Sequence, residues 1–144
     1  MIYRMSAALL SLFGLFISAY LYLYKMGKIG SLACGSGGCD TVQWSPWSRI
    51  GGIEVSLVGV LGYTGLLALS LAALQPGLAQ RRPPAMLLAV LSGLGVLFTV
   101  YLTYLELFVI NAICRWCVAS GIIIVGIFVA ALLDLRRSSK IEAA

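Results

Sequence analysis

The chain contains no histidine. The commonest general base and a preferred metal ligand are therefore missing, which argues against most hydrolases and zinc enzymes. Charge is scarce as well. Only 10% of residues are charged, where a soluble domain carries about 25%. With 61% of residues hydrophobic, there is too little polar surface to cover a water-exposed globule. A bilayer is the solvent that fits. Internal repeats and low-complexity tracts are also absent, and 144 residues suit one domain. The net charge of +5 could suggest nucleic acid, but the basic residues sit at the ends of apolar runs, where membrane topology explains them. Nucleic acid is not an expected partner.

What is present is apolar length. A helix needs about 20 mostly apolar residues to cross the hydrocarbon core. Four stretches qualify, at about residues 5–24, 55–74, 85–109 and 112–133. They predict an all-α membrane protein, a bundle of four transmembrane helices. Residues 25–54 form a long loop between the first two, and a length of that kind usually marks function. Four spans place both termini on one side. Arg4, Arg81, Arg82, Arg136, Arg137 and Lys140 share that side. Lys25, Lys28, Arg49 and Arg115 lie opposite, among Asp40, Glu54 and Glu106. The excess of basic residues predicts cytoplasmic termini and an extracytoplasmic loop. The first span is too long for a signal peptide and no A-x-A site follows it directly. The chain ends about ten residues past the last predicted span, so no appended soluble domain is expected.

Four cysteines fall into two pairs, both predicted on the outer side. Cys114-Arg115-Trp116-Cys117 is a C-x-x-C motif opening the fourth helix, with Asn111 the expected N-cap. Residues three apart share a face, and Cys117 would sit about 4.5 Å deeper than Cys114. A helix N-terminus stabilises a thiolate, and Arg115 adds positive charge. Cys114 then meets a protein thiol at the aqueous edge, and Cys117 a lipid-soluble oxidant. Cys34 and Cys39 flank four residues, three of them glycine, which bend readily enough to join the two sulfurs. So short a loop gains little from a structural staple, and suits a bond that opens and closes. Two other readings use the same cysteines: a non-enzymatic membrane protein with structural disulfides, and a four-thiolate metal site. The first pair is loosely spaced for zinc, and a C-x-x-C within one helical turn staples poorly.

Further residues stand out nearby. Trp44 and Trp47 read as interfacial anchors or as a cap on the site, and Tyr20, Tyr22 and Tyr24 as part of the same aromatic belt. Gly59, Gly62 and Gly65 permit close helix packing or leave room for a flat ring. Glu106 reads as a packing or interfacial carboxylate, with proton transfer the sharper alternative.

With these residues placed, the chain resembles the vitamin K epoxide reductase family over nearly its whole length. The resemblance rests on Cys34 and Cys39 in the loop and on Ser45 six residues later. It continues through Gly51-Gly52-Ile53-Glu54-Val55 leading into the second helix, Gly59 and Tyr63 within it, and Cys114-x-x-Cys117. It implies a four-helix bundle around a quinone, capped by the outer loop, acting as a quinone-coupled thiol oxidoreductase. Cys117 would face the quinone, Cys114 would exchange with Cys39, and Cys34 would meet the external partner. Ser56, Gly59 and Tyr63 would join Cys117 in holding the quinone, with Ser45 supporting the loop. The acceptor would be ubiquinone, menaquinone or a vitamin K-type quinone, with no metal.

Animal members have asparagine where this chain has Val55, with Ser56 adjacent, and tyrosine where it has Gly121. Both are polar contacts to the ring in those enzymes. Their absence fits a bacterial-type member of the inner membrane that acts on a plain quinone. Such members oxidise a secreted thioredoxin-like protein and drive disulfide formation. Many carry that domain fused, so here the partner is expected to be a separate protein.

Overall fold

In hydrocarbon the backbone has no water to bond, so an apolar run of spanning length must close its hydrogen bonds within a helix. The computed structural model describes residues 2–28, 44–77, 82–113 and 115–143. Cys34, Cys39 and Cys114 lie outside the described residues. Four helices result: α1 (Ile2–Lys25), α2 (Val55–Ala73), α3 (Arg82–Tyr104) and α4 (Arg115–Ala143). A π-helical segment, Leu105–Ile110, extends α3. All four are long and apolar enough to cross a membrane. The shortest, α2, has 19 residues, or about 28 Å at 1.5 Å per residue, close to the thickness of a hydrocarbon core. The chain is an integral membrane protein with a helical-bundle fold.

The distribution of side chains is the reverse of a soluble bundle. Leu9, Phe13, Phe16, Leu61, Leu97 and Ile122 point outward, where lipid is their solvent. The interior holds Ala7, Ser11, Gly14, Ser70, Ser92 and Ala131, together with Leu88 and Ile127. Without a hydrophobic drive between helices, small residues that let backbones approach decide the packing. The ring of Tyr63 fills the space where Gly14 has no side chain; a Cβ at Gly14 would overlap it. Three of the buried serines bond their own helix: Ser11 Oγ donates to Ala7 O, Ser70 Oγ to Leu66 O and Ser92 Oγ to Leu88 O, at 2.6–2.7 Å. α1 packs along both α2 and α4, and α3 along α4. The α2–α3 contact is the thinnest of the ring.

α1 and α3 each begin about three residues earlier than expected, and three further differences concern α4. First, Asn111 does not cap α4. It adopts φ 56° and ψ 36° and ends the π-helical segment, its N–H donating to Glu106 O. Asparagine is among the few non-glycine residues that enter this left-handed region at low cost. Second, α4 begins at Arg115 rather than 112. Third, it runs to Ala143 rather than stopping at 133.

The last difference has a clear cause. Asp134 does not mark the water boundary but is buried against Arg4, whose Nε donates to Asp134 Oδ2 at 2.8 Å and Nη1 to Ala73 O at 2.7 Å. One guanidinium thus joins the start of α1, the end of α2 and the last third of α4. The opposite end of the bundle carries an antiparallel hairpin, β1 (Arg49–Ile50) and β2 (Ile53–Glu54), turning on Gly51 and Gly52. Both glycines have positive φ, 61° and 87°, as a two-residue type I′ turn requires.

Candidate functional site

Below the hairpin, where α2 and α3 separate, lies a cavity of about 320 Å³. Its walls are mostly aliphatic and aromatic, from Leu66 on α2 through Leu91, Leu94 and Phe98 on α3 to Ile124 on α4. Polar groups gather at the hairpin end.

Cys117 lines the cavity from α4. Because that helix begins at Arg115, Cys117 is its third residue, within the turn whose N–H groups have no intrahelical acceptor. The later start of α4 brings Cys117 closer to the helix end than the sequence suggested. Trp116 beside it packs on Tyr20, ring centroids 5.3 Å apart.

Ser56 lines the cavity from the first turn of α2. It is 9% exposed, and its hydroxyl has no hydrogen-bond partner among the described residues. The buried Ser11, Ser70 and Ser92 each bond a carbonyl one turn back. Ser56 is the second residue of its helix, and the residue four back is Gly52 of the turn, so no helical carbonyl is available. Val55 lines the cavity next to it.

Gly59 and Gly62 serve different purposes. A Cβ at Gly59 would lie 2.8 Å from Ser18 Oγ, so this glycine lets α1 and α2 approach. A Cβ at Gly62 would meet nothing within 4 Å, so this glycine leaves open space on the cavity wall. Tyr63 is also in the lining, but its hydroxyl is committed: it donates to Ser120 O at 2.8 Å and pairs with Ser120 Oγ at 2.8 Å. Gly121 is a wall residue of α4. A Cβ there would come within 2.9 Å of Thr99 Cγ2, so the close approach of α3 and α4 leaves little room for a tyrosine.

Residues 44–48 lie over the mouth. Ser45 and Trp47 line the cavity, and Trp44 is fastened to the end of α1. Trp44 Nε1 donates to the Tyr24 hydroxyl at 3.0 Å, and the Lys25 ammonium sits 4.5 Å from the centroid of the Trp44 ring. Lys25 Nζ also donates to Ser48 Oγ at 3.1 Å, and that hydroxyl donates to Ser45 O at 2.8 Å. Both tryptophans remain substantially exposed, as residues at a membrane interface can be. Glu106, from the π-helical segment, is a further wall residue and is buried.

Cys117, Ser56, Gly59, Tyr63 and Ser45, singled out in the sequence, thus share one cavity. The family model for the vitamin K epoxide reductase family matches residues 5–132, nearly the whole chain. The chain belongs to that family. Membership makes it an oxidoreductase, of a family that couples disulfide chemistry to quinones. The cavity of this vitamin K epoxide reductase family member is mostly apolar and is lined by the Cys117 side chain.

What sequence reading missed here is the hairpin, although Gly51-Gly52 between Ile50 and Ile53 is a usable turn signal. It also missed the clasp that Lys25 and Tyr24 form on Trp44, for which no sequence signal exists.

Proposed function

We propose that this protein carries electrons from a separate extracytoplasmic thioredoxin-like dithiol to a membrane quinone, and so supports disulfide formation. The observation that carries the reading is one apolar cavity holding both Cys117 and the unpartnered hydroxyl of Ser56. A volume of about 320 Å³ is in the range of small-molecule sites. Ser56 supplies the hydrogen bond to a ring carbonyl. The open face at Gly62 and the ring of Tyr63 accommodate a flat ring, and the apolar walls along the thin α2–α3 contact suit a lipid tail. A bound quinone supplies the two-electron sink.

The thiol steps are those that resemblance to the family implies for the four cysteines. The partner's thiolate attacks the Cys34–Cys39 disulfide at Cys34 and leaves oxidised, releasing the reduced pair. Cys39 then attacks Cys114 of the Cys114–Cys117 disulfide, and Cys34 resolves the mixed bond. Two electrons now rest on Cys114 and Cys117, and Cys117 delivers them into the cavity. The basic residues Arg81, Arg82, Arg136, Arg137 and Lys140 support cytoplasmic termini, with the hairpin end outside, as in a bacterial inner membrane. Val55 and Gly121 support a plain quinone, not an epoxide, as the acceptor.

The test is oxidation of a thioredoxin-like dithiol by the purified protein, with and without added ubiquinone or menaquinone. Turnover is expected only with quinone. Ser56→Ala is expected to raise the KM for quinone about tenfold, the worth of one hydrogen bond, while thiol exchange proceeds unchanged. A protein that keeps a static disulfide pattern and ignores quinone overturns the proposal.

A further inference from the structure

On the quinone reading above, we infer that Glu106 is the proton-transfer residue of the cavity: it takes the thiol proton of Cys117 and delivers it to a ring oxygen. Glu106 is 6% exposed and lies on the cavity wall within a membrane span. An ionisable side chain at such a place is costly and is characteristically functional. It also sits in a π-helical segment, a distortion that recurs at functional sites.

Elimination leads to the same residue. The chain has no histidine. Among the described residues lining the cavity, Glu106 is the one carboxyl group. The Tyr63 hydroxyl is held by Ser120. Serine and threonine hydroxyls on the wall do not ionise near neutral pH. Charged and titratable groups on the surrounding elements are Cys117 and Arg115 on α4, Tyr63 on α2, Tyr101 and Tyr104 on α3, Tyr20, Tyr22, Tyr24 and Lys25 towards the end of α1, and Arg49 and Glu54 in the hairpin. Of these, only Cys117 and Tyr63 share the cavity.

The balance requires such a group. Closing Cys114 and Cys117 from dithiol to disulfide releases two electrons and two protons, and reduction of a quinone to a quinol takes up two of each. The reactive form of Cys117 is the thiolate, so its proton must leave before the electrons do. In the reduced protein Glu106 holds that proton as a carboxylic acid, passes it to one ring oxygen, and is a carboxylate again in the oxidised state. The second ring oxygen draws its proton from water at the mouth, where the Cys114 proton is released. No net proton is gained or lost.

The experiment mixes pre-reduced protein with a short-chain benzoquinone and follows the rate from pH ~6 to ~9.5. Wild type should be nearly flat across this range, because the carboxylate removes the thiol proton. Glu106→Gln should be about 100-fold slower near neutral pH. Its rate should climb about tenfold per pH unit as the thiol ionises unaided, closing most of the gap at the alkaline end. Glu106→Asp should keep the wild-type profile. A structural role lowers the rate evenly at every pH, and that result, or no deficit at all, overturns the inference.

The reduced-minus-oxidised infrared difference spectrum gives a second readout. Wild type should show a deuterium-sensitive carboxylic C=O band that is absent in Glu106→Gln. Its absence from wild type also overturns the inference, even if the variant does not fold. Quenching of tryptophan fluorescence by the benzoquinone separates the two readings. Binding with an unaltered pH profile defeats the proton role alone. No binding by wild type defeats the quinone reading and this inference with it.

Discussion

Cys117→Ala should abolish quinone-dependent oxidation of the dithiol partner, by on the order of a thousandfold or more. The size of the loss follows from position. Cys117 is the described cysteine that lines the cavity, and the relay gives it the only sulfur that meets the acceptor. The fold should tolerate the change, because alanine is smaller and the site is half-buried at a helix start. Melting temperature and quinone binding should therefore stay near wild type, which separates lost chemistry from lost structure.

Cys117→Ser should give the complementary result. Cys114 loses its partner, and the Cys39–Cys114 mixed disulfide, normally transient, should accumulate and be visible by non-reducing peptide mapping. Cys34→Ser should trap the same bond from the other side, since it removes the resolving thiol. Full activity in Cys117→Ala, or no trapped species in either serine variant, would show that electrons take another path.

The parts of the fold that were legible in the sequence are those set by the solvent. Hydrocarbon thickness fixes the length of an apolar run, so the four spans follow from hydropathy alone. Gly59 and Tyr63 were visible as residues of interest, but their tasks were not. Nothing local distinguishes Gly59, which admits Ser18, from Gly62, which faces open space. The difference lies in how α1 crosses α2. Asn111 shows the same limit at a helix end. Its composition suits an N-cap and a left-handed C-cap equally, and the π-helical segment before it decides between them. Ser56 was chosen through resemblance to a neighbouring ring contact. Its unpartnered hydroxyl becomes apparent only when the hairpin is seen to precede it. The fourth predicted span stopped at about residue 133, just short of Asp134. Its partner is 130 residues away, at a separation that no sequence window covers.

That partner gives the second large effect. Arg4→Met should destabilise the bundle by about 3–5 kcal/mol, because it leaves Asp134 buried without its counter-charge. The side chains of Arg4 and Asp134 are 0% and 5% exposed, so water does not replace what is removed. The Ala73 carbonyl loses a donor at the same time. Arg4→Met combined with Asp134→Leu should recover most of the loss, since a buried ion pair exchanged for apolar side chains of similar volume is often neutral or better. Asp134→Leu alone should be intermediate, because Arg4 keeps its bond to Ala73 O. The order of stabilities, with Arg4→Met lowest, is therefore diagnostic, and thermal unfolding in detergent measures it. The pair lies at the end of the bundle away from the cavity, so the double variant should keep its KM for quinone. Arg81, Arg82, Arg136, Arg137 and Lys140 still mark the same side, which preserves the topology. If Arg4→Met were as stable as the double variant, the pair would contribute nothing to holding α1, α2 and α4 together, and that end of the bundle would owe its cohesion to packing alone.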